Sequence, residues 1–386
     1  MKPGRISFVT GGFLVFLSWT LLAWGEFKIN RVSRGITIRM MDVIPLYGWI
    51  LMIAIFIVSF WFELYRPKIK QTVLLWILTI APALCLIGIS GFVPSLTEFD
   101  PNVARVSLGI GFYLFLGGIL LMVSKGKGGQ TRIVSTLVWV FVALGSGFAD
   151  SLGLIREYNN LQDVFVRELF RHVTLALLSA CLAILPGVML GYASLRYPKA
   201  KEWIFGFVHL FQVAPTLSLL ALMMIPLTAL SRAFPFLADL GIKGIGFAPA
   251  FIVLFLYSLL PITSNTYAGL SQTDPFVLES ATALGMTEKQ KFRRIWFPLS
   301  LPAIFAGIRT AMTQNIGNTI LAGLVGGGGM GALIFLGLSQ SALDLVLLGT
   351  IPVVTMALLI DAIFAILEKT TIKRLGVKYD PHRTIG

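Results

Sequence analysis

The sequence predicts an all-α integral membrane protein of about ten transmembrane helices, and three observations carry that expectation. Of the 386 residues, 56% are hydrophobic and 13% charged, against about 25% charged in an ordinary soluble domain. Apolar runs of roughly 20 residues, the length a helix needs to cross a bilayer, recur along the whole chain and leave no room for a soluble domain of normal size. These runs are continuous rather than alternating, which selects helices over a β-barrel as the structure that satisfies its own backbone in lipid. Mean hydropathy is +0.85. The net charge of +13 is what lysines and arginines flanking spans on one side of a membrane produce, so it does not point to nucleic acid.

The first run, about Phe8 to Gly25, follows Lys2 and Arg5 as a secretory signal would. It is long and ends without a small-x-small cleavage pattern, so it is expected to remain as the first span. Spans two to five centre near residues 53, 83, 115 and 143, joined by short linkers with few prolines, and complete an N-terminal extension over residues 1–160. Spans six to ten centre near residues 183, 217, 258, 312 and 355, with Pro186, Pro215, Pro249, Pro261 and Pro352 inside or beside them. Broken helices and glycine-rich joints occur where a membrane protein moves or lines a cavity. Residues 165–370 are therefore expected to be the working core and 371–386 a tail. Cys85 and Cys181 lie inside apolar runs and are expected to pack as small hydrophobes.

An even number of spans puts both termini on one side. If that side is the cytoplasm, its segments hold about twenty basic residues against about ten outside, as the positive-inside rule requires. Glu98, Asp100, Glu157, Asp163 and Glu168 collect on the opposite side. One segment dissents: residues 26–40 carry four basic residues and fall outside.

This topology makes the stretch after Leu270 the longest interior loop. Asp274 can cap a short helix that starts at Pro275 and ends at Gly285, and Thr287 can cap a second, with Gln290 completing a capping box. Pro298 and Pro302 mark the start of the ninth span. Residues 274–296 are expected to be a helix pair, either a docking surface or a solvated interfacial hairpin.

Glu279, Ser280, Ala281, Gly285, Ile295, Phe297 and Pro298 stand at the spacing Glu-Ala-Ala, three residues, Gly, nine residues, Ile, one residue, Leu-Pro. That pattern resembles the cytoplasmic signature of the permease subunits of binding-protein-dependent ABC importers, with Ser for one Ala and Phe for Leu. Residues 211–222, 256–270, 307–335 and 341–364 look like the osmoprotectant branch, importers of glycine betaine, choline and carnitine, in its long variant with extra N-terminal spans. The resemblance spans residues 165–370. It implies that the C-terminal five spans form the permease core and that Glu279, Ser280, Ala281, Gly285, Ile295 and Pro298 belong to a coupling element seated on an ATP-hydrolysing partner. It also implies ATP and Mg on those partners, a periplasmic or lipid-anchored substrate-binding protein, a second permease copy or homologous permease, and a bacterial cytoplasmic (inner) membrane.

The remaining features fit a transport subunit rather than an enzyme. No Gly-x-x-x-x-Gly-Lys-Ser/Thr occurs, so the chain is expected to bind no nucleotide itself. The run Gly326–Gly331 lacks the lysine and is expected to be a flexible joint or re-entrant turn. His172, His209 and His382 lack ligand partners at metal-site spacing. Arg309 and Asp361 are the clearest intramembrane charges, with snorkelling or mutual pairing favoured over a transport role. Gly187 and Gly191 form a small-xxx-small pair suited to packing within the subunit. Candidate pathway residues are Phe211, Pro215, Tyr257, Tyr267 and Asn315, the aromatic ones able to attract a quaternary ammonium through cation-π contact. Two alternatives stay open: a secondary carrier driven by an ion gradient, and an ABC permease for methionine or another small nutrient.

Overall fold

The computed structural model describes residues 3–30, 33–39, 69–92, 103–125 and 128–375. The second expected span, near residue 53, and the basic residues Lys2, Arg66, Lys68, Lys127, Lys378 and Arg383 lie outside the described residues, as do Glu98, Asp100 and His382. The chain divides into two compact units, residues 1–162 with 339–345, and residues 163–338 with 346–386.

In the first unit, helix α1 (Pro3–Thr20) leads into strands β1 (Gly25–Lys28) and β2 (Ile36–Ile38). Helices α2 (Ile69–Leu78) and α3 (Ala81–Phe92), strand β3 (Arg105–Leu108), and helices α4 (Ile110–Val123), α5 (Gly129–Gly145) and α6 (Gly153–Asn160) follow. The most extensive packing is α1 against α4. Added Cβ atoms show how closely they cross: one on Gly11 would lie 2.5 Å from the Gly118 carbonyl oxygen, and one on Gly118 would lie 2.7 Å from that of Gly11. Trp24 is fully buried beside this crossing, its indole donating to Ser18 O at 2.8 Å and its ring 4.8 Å from that of Phe115.

A three-stranded antiparallel sheet in the order β2-β1-β3 has no counterpart in the expected all-helical pattern, and its first two strands overlap the dissenting basic segment. Gly25 pairs with both Ile38 and Leu108, and Lys28 turns to Glu26 at 3.5 Å. Buried beside the sheet, Arg105 donates to Glu157 at 2.7 Å and Ser107 Oγ to Asp344 Oδ2 at 2.5 Å, so these charges are partnered where burial would otherwise be costly.

The second unit holds α7 (Gln162–Arg196), α8 (Pro198–Val213), α9 (Thr216–Ala233), the short α10 (Pro235–Asp239) and α11 (Phe247–Ser271). Then come α12 (Pro275–Ala283), α13 (Glu288–Lys291), a π-turn (Phe292–Trp296), α14 (Phe297–Asn318), a 3-10 segment (Thr319–Val325), α15 (Met330–Ser339) and α16 (Leu343–Leu375), whose first turn is assigned to the first unit. Helices α11 and α14 pack most extensively, around Leu259, Ile262, Ile304, Ile308 and Ala311. Gly187 and Gly191 let α7 lie on α11: a Cβ on Gly187 would meet Ile262 Cγ2 at 2.7 Å, and one on Gly191 would meet Thr266 Cβ at 2.6 Å. The small-xxx-small pair therefore serves packing within the subunit.

The helical class stands. Among the described residues six helices are long and apolar enough to cross a membrane, with shorter apolar helices at Ile6–Thr20, Ile110–Val123, Gly129–Gly145 and Met330–Ser339. The seventh expected span shifts along the chain. Its centre near residue 217 falls close to a break, because Pro215 has no N–H and holds Ala214 extended at ψ 135°, so the apolar helix runs over Thr216–Ala233.

Candidate functional site

The loop after Leu270 folds by the local chemistry its sequence predicts. Asp274 accepts from the Phe276 amide at 2.9 Å, with Pro275 at the first helical position of α12. The helix ends in a Schellman motif: Gly285 N donates to Thr282 O at 2.9 Å, Met286 N to Ala281 O at 3.1 Å, and Gly285 sits at φ +75°. Thr287 caps α13, its hydroxyl accepting from Gln290 N at 3.4 Å while Gln290 Oε1 accepts from Thr287 N at 2.8 Å. Lys291 ties the two helices together by donating to Thr282 Oγ1 at 3.2 Å.

One expectation is corrected here. The second helix is not a separate piece before the membrane: α13, the π-turn and α14 run without a break from Glu288 into the span. Proline 298 has no amide to donate, and the wider π register, with Phe297 N bonding Phe292 O, carries the helix past it.

One face of α12 and its C-terminal turn is apolar where a solvated hairpin would be polar. Phe276 is 76% and Leu284 82% exposed, and with Val277, Ser280, Ala281, Met286 and Ile295 they line an open groove. Glu279 is exposed on the same helix and Ala281 is buried under it. Ile295 and Pro298 lie in the π-turn and the first turn of α14.

The structure brings three of the five candidate pathway residues, Phe211, Pro215 and Tyr257, together and places Asn315 against the neighbouring turns of α11. Tyr257 clamps the break at Pro215 from both sides, donating to Ala214 O at 2.5 Å and accepting from Thr216 Oγ1 at 3.1 Å. Phe211 packs on the same cluster. On the adjoining turns of α11, Leu254 and Ser258 meet Asn315, which is fully buried; its amide nitrogen lies 2.8 Å from Ser258 Oγ and 2.9 Å from Ser179 Oγ, joining α7, α11 and α14. Tyr267 stands apart: Lys201 donates to its hydroxyl at 2.9 Å and lies 4.5 Å from its ring centroid. The three aromatic residues do not form one cage.

Arg309 and Asp361 pair directly. The guanidinium reaches both carboxylate oxygens, at 2.6 and 2.8 Å, with Glu368 at 3.7 Å.

Sequence reasoning missed a second polar cluster. Glu168 and His172, one turn apart on α7 and both buried, accept from the consecutive amides of Gly329 at 2.8 Å and Met330 at 3.2 Å. The glycine-rich run thus turns through left-handed backbone at Gly326, Gly328 and Gly329 and presents two amides to the chain's own carboxylate and imidazole. Spacing could not reveal this, since the partners are about 160 residues apart. Among the described residues no group of three or more His, Cys, Asp or Glu is placed to hold a metal.

Comparisons with known proteins follow the division of the chain. Residues 164–373 match the family model described as binding-protein-dependent transport system inner membrane component. Residues 5–155 match the N-terminal domain of the ABC transporter permease YehY. The choline transport system permease protein OpuBB of Bacillus subtilis is 36% identical over 200 residues, covering 52% of this chain and 85% of that protein. The glycine betaine/carnitine/choline transport system permease protein OpuCB of the same organism is 37% identical over 198 residues, 51% of this chain and 84% of that protein. The osmoprotectant import permease protein OsmW of Salmonella typhimurium is 37% identical over 192 residues, 50% of this chain and 84% of that protein.

Proposed function

The chain belongs to the family of binding-protein-dependent transport system inner membrane components, and from that premise we propose that it is the membrane-spanning subunit of an ATP-driven importer for a small zwitterionic or cationic osmolyte such as glycine betaine. Choline, glycine betaine and carnitine appear in the names of the relatives it resembles, and the quaternary ammonium common to these compounds defines the cargo class.

The observation that carries the reading is the loop between α11 and α14. Its caps, its Schellman turn and its tie through Lys291 make a folded element that presents Phe276, Leu284 and Glu279 outward. Exposed apolar side chains rimmed by charge mark a surface that another protein covers. In this reading Glu279, Ser280, Ala281, Gly285, Ile295 and Pro298 are the ATPase-coupling residues. ATP and Mg reside on two cytoplasmic partner subunits; in this chain the Gly329 amide of the glycine-rich loop already binds Glu168 and the Met330 amide binds His172.

Closure of the ATPases moves α12, and the unbroken run from α13 through α14 conveys that movement into the membrane. Phe211, Pro215, Tyr257 and Asn315 lie at the junction where α7, α8, α9, α11 and α14 meet and border the route the cargo takes; Tyr267, with Lys201, borders it further along α11. The Arg309–Asp361 pair fixes α14 to α16. A substrate-binding protein delivers cargo from the periplasm, and a second permease copy or homologous permease completes the pathway. Both termini and the α12 loop lie in the cytoplasm, on the side that collects the basic residues.

The test is affinity purification from native membranes of the wild type beside Glu279→Lys. An ATPase should accompany the wild type and be lost or inactive with the variant, after which uptake of labelled glycine betaine identifies the cargo class. Absence of any ATPase under several mild detergents removes the coupling role of the loop and returns gradient-driven uptake to first place.

A further inference from the structure

Thr287, Lys289, Gln290, Arg293 and Arg294 line a depression of about 520 Å3 in the second unit. Its lining is distinct from that of the apolar groove along α12. Three of its five residues are basic and exposed. The neighbouring acid, Glu288, is engaged by Lys291, and none of Lys289, Arg293 and Arg294 pairs with a carboxylate among the described residues. Positive charge is therefore concentrated here without a carboxylate paired to it among the described residues.

The place of this charge along the helix indicates its partner. Arg293 and Arg294 belong to the π-turn that closes at Trp296 and continues directly into the apolar α14. Phe292 of the same turn meets Tyr192 of α7 edge-on, with ring centroids 4.8 Å apart. Helix α7 ends one turn later at Arg196, followed by Tyr197, 61% exposed, and on α8 by Trp203, 83% exposed. Tyrosine and tryptophan interspersed with basic residues at the ends of spans are the composition of the membrane–water interface, where aromatic rings lie among headgroups and long basic side chains reach the phosphates. An acidic protein surface would explain the charge but not the exposed aromatic residues that follow the end of α7, the helix that meets the π-turn through Tyr192.

We infer that this depression binds the phosphate of an acidic phospholipid headgroup from the leaflet in which the loop lies. Adjacent guanidinium groups present planar donor forks that match phosphate oxygens, and Lys289 adds a mobile point charge. Three basic residues beside an anionic surface favour an acidic over a zwitterionic lipid by about a hundredfold. The bound headgroup holds the π-turn at the membrane surface and gives the α12 loop a fixed pivot at its base. This holds whatever the cargo is.

The whole chain, purified without any ATPase, is placed in nanodiscs of phosphatidylcholine and phosphatidylglycerol in equal parts, and retained lipids are counted by native mass spectrometry. The wild type should keep phosphatidylglycerol in preference by about tenfold or more, and Lys289→Gln/Arg293→Gln/Arg294→Gln should lose that preference. A control with Arg232→Gln and Lys243→Gln should keep it. Equal retention by wild type and triple variant, or no preference in the wild type, overturns the assignment. Displacement of the lipid by excess inorganic phosphate alone would make the site one for free phosphate and also overturns it. If the bare chain shows no preference while ATPase binding weakens in the triple variant, the basic surface belongs to the partner's acidic face and the lipid is excluded. Should the triple variant fail to fold, Arg294→Glu decides by the same count: a lost preference supports the site and an unchanged one overturns it.

Discussion

Arg309 on α14 grips Asp361 on α16 at two points, Nε to Oδ1 at 2.6 Å and Nη2 to Oδ2 at 2.8 Å, so the two helices are joined by a planar, oriented contact. Both side chains are part-exposed on the single chain, 33% and 44%, which makes geometry rather than depth the source of the contact's value. Arg309→Asp or Asp361→Arg alone places like charges together and should lower thermal stability by about 1 kcal/mol or more and reduce uptake. The exchange of both residues should recover most of each loss, because the coupling belongs to the pair. Melting temperature and uptake of the two single variants and the double variant in one membrane preparation check this. A double variant no better than the worse single one would show that the guanidinium serves something other than Asp361.

Gly285 offers a test in which space and backbone are separable. An added Cβ there meets nothing within 4 Å, so any penalty arises from its left-handed φ of +75°. Gly285→Ala should destabilise the loop by about 1 kcal/mol. Gly285→Asn should be milder than Ala, since asparagine tolerates that conformation better. Hydrogen exchange of the Met286 amide, which donates to Ala281 O, reports the turn directly, and ATPase-linked uptake reports its consequence. If asparagine proved as harmful as alanine while the Met286 amide stayed protected, contact with a partner rather than backbone conformation would explain Gly285.

The loop was legible in the sequence because its determinants act over three or four residues. Asp274, Thr287, Gln290 and Gly285 each satisfy or release a backbone group within their own turn, and each does so in the structure. The continuous passage from α13 into α14 was not legible, because prolines that read as a boundary are carried inside one helix by a π-turn. The sheet was hidden for a different reason. Strands of three and four residues have no measurable alternation, and β1 finds β3 only across about 80 residues of chain. Among the pathway candidates, chemistry suggested aromatic residues without their neighbours. Tyr257 proves to be tied to the backbone beside Pro215, and Tyr267 already faces an ammonium group, that of Lys201.

The glycine-rich turn gives the last prediction. At the start of α15 the free amides of Gly329 and Met330 are taken by Glu168 and His172. His172 Nδ1 accepts from Met330, so the proton of the neutral ring lies on Nε2, which donates to Ile316 O at 3.0 Å in the last turn of α14. One face of α7 therefore fastens both sides of the interruption between α14 and α15. Glu168→Ala strands a buried amide and should cost about 1–3 kcal/mol locally. Exchange at Gly329 and Met330 should then accelerate by about tenfold or more. Glu168→Gln keeps an oxygen acceptor at that place and should be milder. If the joint must hold its shape while α14 moves, Glu168→Ala will hydrolyse ATP with its partners yet import poorly, whereas general instability would lower assembly, hydrolysis and uptake together. Faster exchange with normal uptake would leave the clasp a stabilising contact only, and unchanged exchange would mean that another group secures the turn.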